Sequence, residues 1–140
     1  MRPALAVSVL VGLALGCGSA ASAPRAGPTT TSLTISFWVE GRAASTPQKW
    51  TLRCDPAGGS LTRAAEACRR LKGMRQPFAR PRAGLACTQV YGGPQQAVIT
   101  GTYLGQRVLA FLALNNGCQI SRFKKLGFLV PGFSPGGPGS

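Results

Sequence analysis

The sequence contains no histidine and only three acidic residues, and these two shortages exclude most catalytic chemistry. Without imidazole, the chain has no Ser-His or Cys-His nucleophile pair, no imidazole general base and none of the zinc sites that need imidazole. Glu40, Asp55 and Glu66 are too few and too scattered for hydrolysis by paired carboxylates. We therefore predict that the chain is not an enzyme, uses no cofactor and binds no metal.

Positive charge is as plentiful as negative charge is scarce. The 140 residues include 16 Lys and Arg, which gives a formal net charge of +13, and 44% of the residues are apolar. That apolar share is enough for a packed core, so the chain is basic without being disordered. Its length predicts one domain of about a hundred residues behind a leader.

The first residues predict export. Arg2 precedes an apolar run over 4–15 that is too short, and wrongly flanked, for a spanning helix. This pattern is typical of a signal peptide, which we assign to 1–16. The protein is therefore expected to be extracellular.

Two routes of processing stay open after this leader. Residues 14–17, Ala-Leu-Gly-Cys, resemble a bacterial lipobox, which predicts a lipid on Cys17 and a lipoprotein anchored to the outer face of the cytoplasmic membrane. Residues 17–31, rich in Ala, Pro, Ser and Thr, would then be a flexible linker that serves as the tether. The alternative is ordinary cleavage within 18–23, which would release the protein.

The remaining cysteines form an even set once Cys17 is lipidated or removed. An even number of cysteines outside the cell predicts disulfides, here two. Three pairings exist, and sequential pairing closes the shortest loops. A structural zinc site is disfavoured because CxxC spacing is absent. The four residues are Cys54, Cys68, Cys87 and Cys118.

Hydrophobic periodicity predicts short strands that pair locally, with helices set against the sheet. Apolar residues at every second position, bounded by turn residues, indicate strands. An apolar stripe from Leu61 through Cys68 to Leu71, with Thr62 as N-cap and Gly73 at its end, predicts a helix. The predicted strands cover 32–39, 49–54, 97–103, 107–114 and, last and shortest, 127–130, with a surface loop over 74–86 and a short second helix over 118–122.

These elements predict one α+β domain over 32–131, followed by a disordered tail over 132–140. Strands that follow one another as hairpins do not suggest parallel βαβ winding. The Pro, Gly and Ser that dominate the last residues cannot form a packed core.

Four segments, in order, carry a resemblance to a known family. They are WTLRCDPAGG (50–59), AEAC with the leucine three residues later (65–71), ACTQVY (86–91) and VITGTYLGQRV (98–108). Over about 33–130, with all four cysteines at matching intervals, the chain resembles the Streptomyces subtilisin inhibitor family. The resemblance implies a five-stranded antiparallel sheet with two helices on it, and disulfides between Cys54 and Cys68 and between Cys87 and Cys118.

The resemblance also implies a function and a site. Members of the family inhibit subtilisin-like serine proteases, often as homodimers, through a reactive loop that mimics a substrate. Carried over by position, Cys87 is the anchor of that loop, Thr88 follows it, and Gln89 enters the specificity pocket of the protease. The reactive bond is then Gln89 to Val90, and Tyr91 continues the contact.

Two features depart from the family pattern. Gln89 is neither the large apolar nor the basic residue that is usual at its position. Residues 92–94, Gly-Gly-Pro, stand where an acid and a proline are common, and this stretch is one residue longer and more flexible.

A second reading of the sequence predicts a basic extracellular module that binds anionic envelope polymer and reuses the fold without inhibiting anything. Its cations would attract a polyanion in a salt-dependent way. Nucleic acid is not expected as the partner, because the protein is exported and no aromatic residues are interleaved with the cations for base stacking. The cations are Arg69, Arg70, Lys72, Arg75, Arg80 and Arg82.

Overall fold

The computed structural model describes residues 30–134, which form one sheet and one layer of helices. The predicted signal peptide, Cys17 and residues 135–140 of the predicted tail lie outside the described residues. None of the helices within 30–134 is long and apolar enough to cross a membrane. The elements are β1 (Thr31–Trp38), β2 (Gln48–Cys54), α1 (Ala64–Lys72), β3 (Gln96–Tyr103), β4 (Gln106–Ala113), α2 (Gly117–Leu126) and a 3₁₀ turn (Gly127–Leu129).

The sheet is antiparallel throughout, in the order β2-β1-β3-β4. Thr31, at the start of β1, is opposite Cys54 at the end of β2, and Trp38, at the end of β1, is opposite Gln96 at the start of β3. The tight turn between β3 and β4 is Leu104-Gly105, where φ is +49° and +78°, values that suit the right-handed twist of a two-residue hairpin. The sheet therefore has one end at Thr31 and another at Trp38.

The strand alternation that the sequence predicts is confirmed in the burial of side chains. Leu33, Ile35 and Phe37 of β1 are buried, whereas the residues between them are exposed or half-buried. Both helices cover this apolar face, and the ring of Phe123 in α2 meets the ring of Phe37 edge-on at 6.4 Å. The other buried apolar residues of the strands and helices include Leu52, Ala67, Leu71, Ala97, Ile99, Ala110, Leu112 and Leu126.

The prediction of five strands is wrong for the described residues, which form four. The predicted last strand over 127–130 is instead a 3₁₀ turn that continues directly from α2. Leu129 and Val130 are buried in the core, and Phe128 packs against it. A short apolar run has the same composition whether it is a buried strand or a buried turn, so periodicity could not separate the two.

The boundaries of the helices also differ from the prediction. Helix α1 has Arg63, with φ of +60°, at its N-cap and no capping side chain, so the prediction of Thr62 was wrong, whereas its end at Gly73 is confirmed. Helix α2 extends four residues beyond the predicted Arg122 because Phe123 and Leu126 are buried against the sheet. Within the predicted tail, Phe133 stacks on Phe123 with ring centroids 4.0 Å apart.

Disulfides join Cys54 to Cys68 and Cys87 to Cys118, the two pairs that the resemblance implies. The first connects the last residue of β2 to the middle of α1. The second connects a segment without regular structure to the second residue of α2. The two bridges therefore hold very different parts of the chain.

The face of the sheet away from the helices, here called the outer face, divides into two halves. Thr34, Thr51 and Thr100 are exposed on adjacent strands and form its polar half. Near the β4 edge, the exposed fractions of Leu109 and Phe111 are 62% and 40%. The large apolar side chains that are well exposed on the outer face therefore lie near that edge.

Candidate functional site

Residues 87–92 cross the end of the sheet where β4 passes into α2. The segment follows the irregular stretch 74–86 and precedes β3. Its first residue is covalently fixed, because the Cys87–Cys118 disulfide holds the two Cα atoms 5.4 Å apart. The predicted reactive residues therefore lie beside the first turn of α2.

Two backbone hydrogen bonds attach this segment to the connection between β4 and α2. The N–H of Gly117 donates to the carbonyl of Thr88 at 2.9 Å, and the N–H of Gly92 donates to the carbonyl of Leu114 at 2.7 Å. The three residues between these attachments, 89–91, make no backbone hydrogen bond to any of residues 30–134. We call 88–92 the arch. Its two ends, Thr88 and Gly92, are held by these hydrogen bonds and are called its feet, and the unpaired residues 89–91 between them are called its crown.

The crown of the arch is open to solvent. The exposed fraction of Val90 is 53% and that of Tyr91 is 70%, and Gln89 is exposed as well. The side-chain amide of Gln89 donates to the carbonyl of Cys87 at 3.2 Å, which is a contact within the segment. The free N–H and C=O groups of the crown are available to pair with an extended partner chain.

Close approach leaves little room for a side chain at Gly92 of the arch and at Gly117 of α2. A Cβ at Gly117 would meet the hydroxyl oxygen of Thr88, and a Cβ at Gly92 would lie 3.1 Å from Cδ1 of Ile120 and 3.3 Å from Cβ of Leu114. Gly92 therefore fits between two apolar side chains while its N–H is bonded. The first residue of the Gly-Gly pair is thus pinned, although the sequence indicated a flexible stretch here.

The turn that receives the arch is built by the Asn-Asn-Gly motif ahead of Cys118. The side-chain oxygen of Asn116 accepts a hydrogen bond from the N–H of Gln119 at 3.0 Å, which caps the start of α2. The cap fixes where the helix begins, and Gly117 and Cys118 are its first two residues. The two residues that hold Thr88 and Cys87 are thereby placed in one helical turn.

The predicted basic cluster does not form a single surface. Arg69 and Lys72 line a cleft beside Thr31, at the end of the sheet away from the arch. The guanidinium of Arg70 lies over the ring of Phe128 at 4.1 Å and so helps to pack the core. Arg80 borders a different groove, next to Phe111 on the outer face. These cations point to several surfaces, which disfavours one binding site for a polyanion.

Arg122 is a residue that the sequence did not single out. Its Nη1 donates to the carbonyl of Phe111 at 2.7 Å and its Nη2 to the carbonyl of Phe78 at 3.2 Å. Burial, with a further contribution from the charge of Arg80, lowers the pKa of Arg122. No sequence signal identified it, because both acceptors are backbone carbonyls far away along the chain.

Within residues 30–134 there is no group of three or more His, Cys, Asp or Glu side chains that could hold a metal ion. Cys87, next to the arch, has no free thiol because it is in a disulfide, and the sequence contains no histidine that could act as a base beside Thr88. What the arch does offer is an exposed peptide whose two ends are fixed. Fold and site together define a small disulfide-linked α+β protein that displays an exposed segment held at both ends.

Comparison with known families identifies this class further. Residues 27–116, more than half of the chain, match the sequence model of the subtilisin inhibitor-like family. The chain belongs to the subtilisin inhibitor-like family, whose members are protease inhibitors and not enzymes.

Among solved structures, the chain is similar to sermetstatin of Streptomyces caespitosus, crystallised in complex with the subtilisin of Bacillus licheniformis. The identity is 22%, the alignment covers 74% of this chain and 99% of sermetstatin, and the TM-score is 0.49. A search of curated proteins found no match.

Proposed function

We propose that this protein inhibits subtilisin-like serine proteases by presenting the arch as a substrate, with Gln89–Val90 as the reactive bond. Family membership supports the class of target. The observation that carries the proposal is the pair of hydrogen bonds that fixes Thr88 and Gly92 and leaves the three residues between them unpaired. A protease binds an extended substrate through such free backbone groups, so this crown suits its cleft.

The fixed feet reduce the cost of binding. A flexible peptide loses about 0.5 to 1.5 kcal/mol for each side chain that it immobilises at an interface, besides backbone entropy. Here the disulfide and the two hydrogen bonds impose that order before the protease arrives. We expect tight binding through an interface of ordinary size, on the order of 1,600 Å².

The same attachments explain why the protease would not simply cleave the arch and release it. Attack of the catalytic serine on the carbonyl carbon of Gln89 breaks the bond to Val90, acylates the serine and passes the serine proton to the new amine of Val90. The Thr88 side stays bound through Cys87–Cys118, and the Val90 side stays bound through the Gly92–Leu114 hydrogen bond. The amine therefore remains next to the acyl-enzyme, where religation competes with hydrolysis.

The side chain of Gln89 sets the preference among proteases. It is neutral and polar, so it suits the broad pockets of subtilisins better than a trypsin pocket, which selects a cation. To enter a pocket, its amide must give up the hydrogen bond to the carbonyl of Cys87. That exchange replaces one neutral hydrogen bond by another and is not a large barrier.

The experiment is a titration of subtilisin activity with the oxidised protein, followed by mass spectrometry of the bond between Gln89 and Val90. We expect a linear loss of activity to one inhibitor per protease, with slow cleavage at that bond only. Gln89→Lys should gain trypsin inhibition, whereas Gln106→Lys, which adds the same charge at an exposed position at the other end of the sheet, should not. Rapid degradation, or no effect on several serine proteases, would contradict the proposal and favour the basic envelope-binding module.

We further propose that two copies associate through the apolar part of the outer face. Leu109 and Phe111 are exposed there, beside the half-buried Trp38 and Val98. The same face carries Lys49, Arg53 and Arg107 and none of its strand residues is acidic, so like charges oppose the association.

Sedimentation equilibrium tests this self-association. It should strengthen with added salt, because salt screens the repulsion and leaves apolar burial intact. Phe111→Ser should weaken it, whereas Leu85→Ser, which removes an apolar side chain that is 49% exposed on a loop, should not. A monomer at every salt concentration and protein concentration would contradict it.

We also propose that the protein is exported and, by way of Cys17, anchored as a lipoprotein. Two disulfides are typical of an oxidising compartment, which supports export. Thr31 begins β1 at the end of the sheet away from the arch, and an eight-residue strand spans about 23 Å, so a tether from this side would leave the arch facing outward. Mass spectrometry of the mature N-terminus distinguishes a diacylglyceryl-modified Cys17 from cleavage within 18–23, and Cys17→Ala should abolish the modification.

A further inference from the structure

The guanidinium of Arg122 links α2 to strand β4 and to the irregular stretch 74–86. Arg122 belongs to α2, its Nη1 binds the carbonyl of Phe111 in β4, and its Nη2 binds the carbonyl of Phe78 in the stretch 74–86. Both bonds have a cationic donor, which makes them stronger than bonds between neutral groups. The planar fork of Arg reaches both acceptors at once, which no other side chain could do in the same geometry.

The position of Phe111 shows what this contact covers. Strand β4 is the edge of the sheet, with β3 on one side and no strand on the other within 30–134. Edge strands with free backbone groups invite pairing with other chains, so they are often shielded. Here α2 and the stretch 74–86 approach the edge, and Arg122 binds it. One carbonyl of this edge, that of Phe111, is therefore paired with a side chain and not with a fifth strand.

The stretch 74–86 has few other attachments on its way to the arch. Pro77 is buried, and the ring of Phe78 meets the ring of Tyr103 at 5.4 Å. After Phe78 every residue from 79 to 86 is exposed, and the backbone hydrogen bonds there are local turns. The bond from Arg122 to the carbonyl of Phe78 is therefore the last hydrogen bond from the rest of the fold before the disulfide at Cys87.

Arg122 and Cys118 are four residues apart on α2, so they lie on the same side of the helix. Cys118 holds the arch through its disulfide, and Arg122 holds the incoming stretch through Phe78. The helix thus grips the chain on both sides of the exposed residues 79–86. A displacement at the Arg122–Phe78 hydrogen bond would be transmitted to the Cys87–Cys118 disulfide through a helix that is capped and packed on the core.

Nothing acidic accounts for the placement of this cation. The one ion pair among the described residues joins Arg63 to Glu66 on α1, far along the chain from Arg122. Nε of Arg122 is buried without a partner among the described residues, so burial of the group is not fully compensated. The two carbonyls hold the guanidinium, and their geometry, not charge pairing, fixes its place.

We propose that Arg122 is a positioning residue for the reactive arch, acting through α2 and the stretch 74–86 to keep the arch in its inhibitory shape. The proposal rests on the proposed function of the arch. Arg122 does not touch the protease in this scheme. Its loss would leave the core folded and the arch present, but with a looser approach to Cys87, so that the cleaved bond religates less often.

The test compares Arg122→Gln and Arg122→Lys with Lys125→Gln, an exposed charge removal on the same helix. For each variant we would measure the inhibition constant against subtilisin, the rate of cleavage at Gln89–Val90 in the complex, and thermal unfolding. At a temperature where all variants are folded, we expect Arg122→Gln to raise both the inhibition constant and the cleavage rate about tenfold, the scale of one charged hydrogen bond. Both values for Arg122→Lys should lie between those of the parent protein and Arg122→Gln, since an ammonium serves one carbonyl well. Lys125→Gln should change neither the cleavage rate nor the inhibition constant by more than about twofold.

Amide hydrogen exchange provides a readout that needs no protease. If Arg122 positions the arch, the N–H groups of Gly92 and Gly117 should exchange faster in Arg122→Gln, by about tenfold, while those of β1 stay protected. If the protein fails to inhibit any protease, this readout still tests the positioning, so the two proposals can fail separately. Should Arg122→Gln not fold, Arg122→Lys carries the same comparison.

Two results would overturn the proposal. One is unchanged inhibition, cleavage and exchange at the arch in both Arg122 variants. The other is weaker inhibition in proportion to lower thermal stability, with the same protection lost across β1 as at the arch, because that pattern belongs to a residue that stabilises the whole fold.

Discussion

The two disulfides of this protein hold regions of opposite character. Cys54–Cys68 joins a strand to a helix beside Leu52 and Leu71, which are fully buried. Cys87–Cys118 joins a helix to an irregular segment whose crown is exposed. The first region is packed within the core, whereas the crown of the second is open to solvent. The same kind of covalent link therefore lies against a core in one place and holds the chain beside the exposed arch in the other.

Loop length alone would not reveal this difference. The sequence separations are 14 and 31 residues, which in the chain-entropy account correspond to about 3 and 3.7 kcal/mol of stability. These values are close, yet the structural consequences are not. Removing each bridge in turn should separate stability from inhibition.

The largest effect is expected from Cys87→Ser with Cys118→Ser. The unfolding free energy should fall by about 3.7 kcal/mol. The inhibition constant should rise by about a hundredfold or more, because the foot of the arch at Thr88 is then held by one hydrogen bond. Urea denaturation gives the first quantity, and titration of subtilisin gives the second.

The matched variant, Cys54→Ser with Cys68→Ser, should lose stability while its inhibition of the protease is largely kept. Its unfolding free energy should fall by about 3 kcal/mol, while the inhibition constant measured under folding conditions should stay within about threefold. Equal weakening of inhibition by both double variants would break the comparison, since it would mean that the core bridge also shapes the arch.

A glycine in each region sharpens the contrast further. Gly117→Ala should weaken inhibition about tenfold, because the new methyl group meets the hydroxyl of Thr88 and one of the two must move. Gly73→Ala at the end of α1 should not, since its Cβ would lie 3.6 Å and 3.7 Å from the nearest backbone oxygens, in ordinary contact. Inhibition constants of both variants decide the point. Adding Thr88→Ala to Gly117→Ala should recover part of the loss, and independent effects in that double variant would rule out the steric explanation.

The smallest effect is expected in the core region. The hydroxyl of Tyr103 donates to the carbonyl of Leu71 at 2.9 Å, so Tyr103→Phe should lower the unfolding free energy by about 1 kcal/mol. Inhibition should be unchanged, because this hydrogen bond lies at the end of the sheet away from the arch. A loss of inhibition larger than about twofold would show that the contact of Tyr103 with Phe78 also positions the arch.

The same tyrosine predicts a pH dependence. Burial raises the pKa of Tyr103 above its ordinary value of 10.0, so the unfolded chain gives up this proton first as the pH rises. The stability that depends on the neutral phenol is therefore fully present below pH 10 and is lost as the pH passes the raised pKa. Between about pH 9 and 11, the midpoint temperature of thermal unfolding should fall less steeply with rising pH in Tyr103→Phe than in the parent protein. Equal slopes would contradict the assignment.

Much of the fold could be predicted from the sequence because its signals are local, whereas the candidate site was carried over from the family resemblance. Alternation of apolar and polar residues identified the four strands to within one or two positions, and the asparagine and glycine ahead of Cys118 identified the turn into α2. The cysteine intervals and the surrounding motifs identified the family, which residues 27–116 match. The absence of histidine and the scarcity of acidic residues together argued against an enzyme.

Tertiary contacts decided the rest. Residues 127–130 contain a 3₁₀ turn in place of a strand, with Leu129 and Val130 buried in a core that exists only once the helices and the sheet have come together. The separation of Arg70 from its basic neighbours depends on the ring of Phe128, which lies far along the chain. The two hydrogen bonds that make the arch also join residues more than twenty positions apart. Local periodicity carries no information on such pairs, because they exist only once the helices have packed on the sheet.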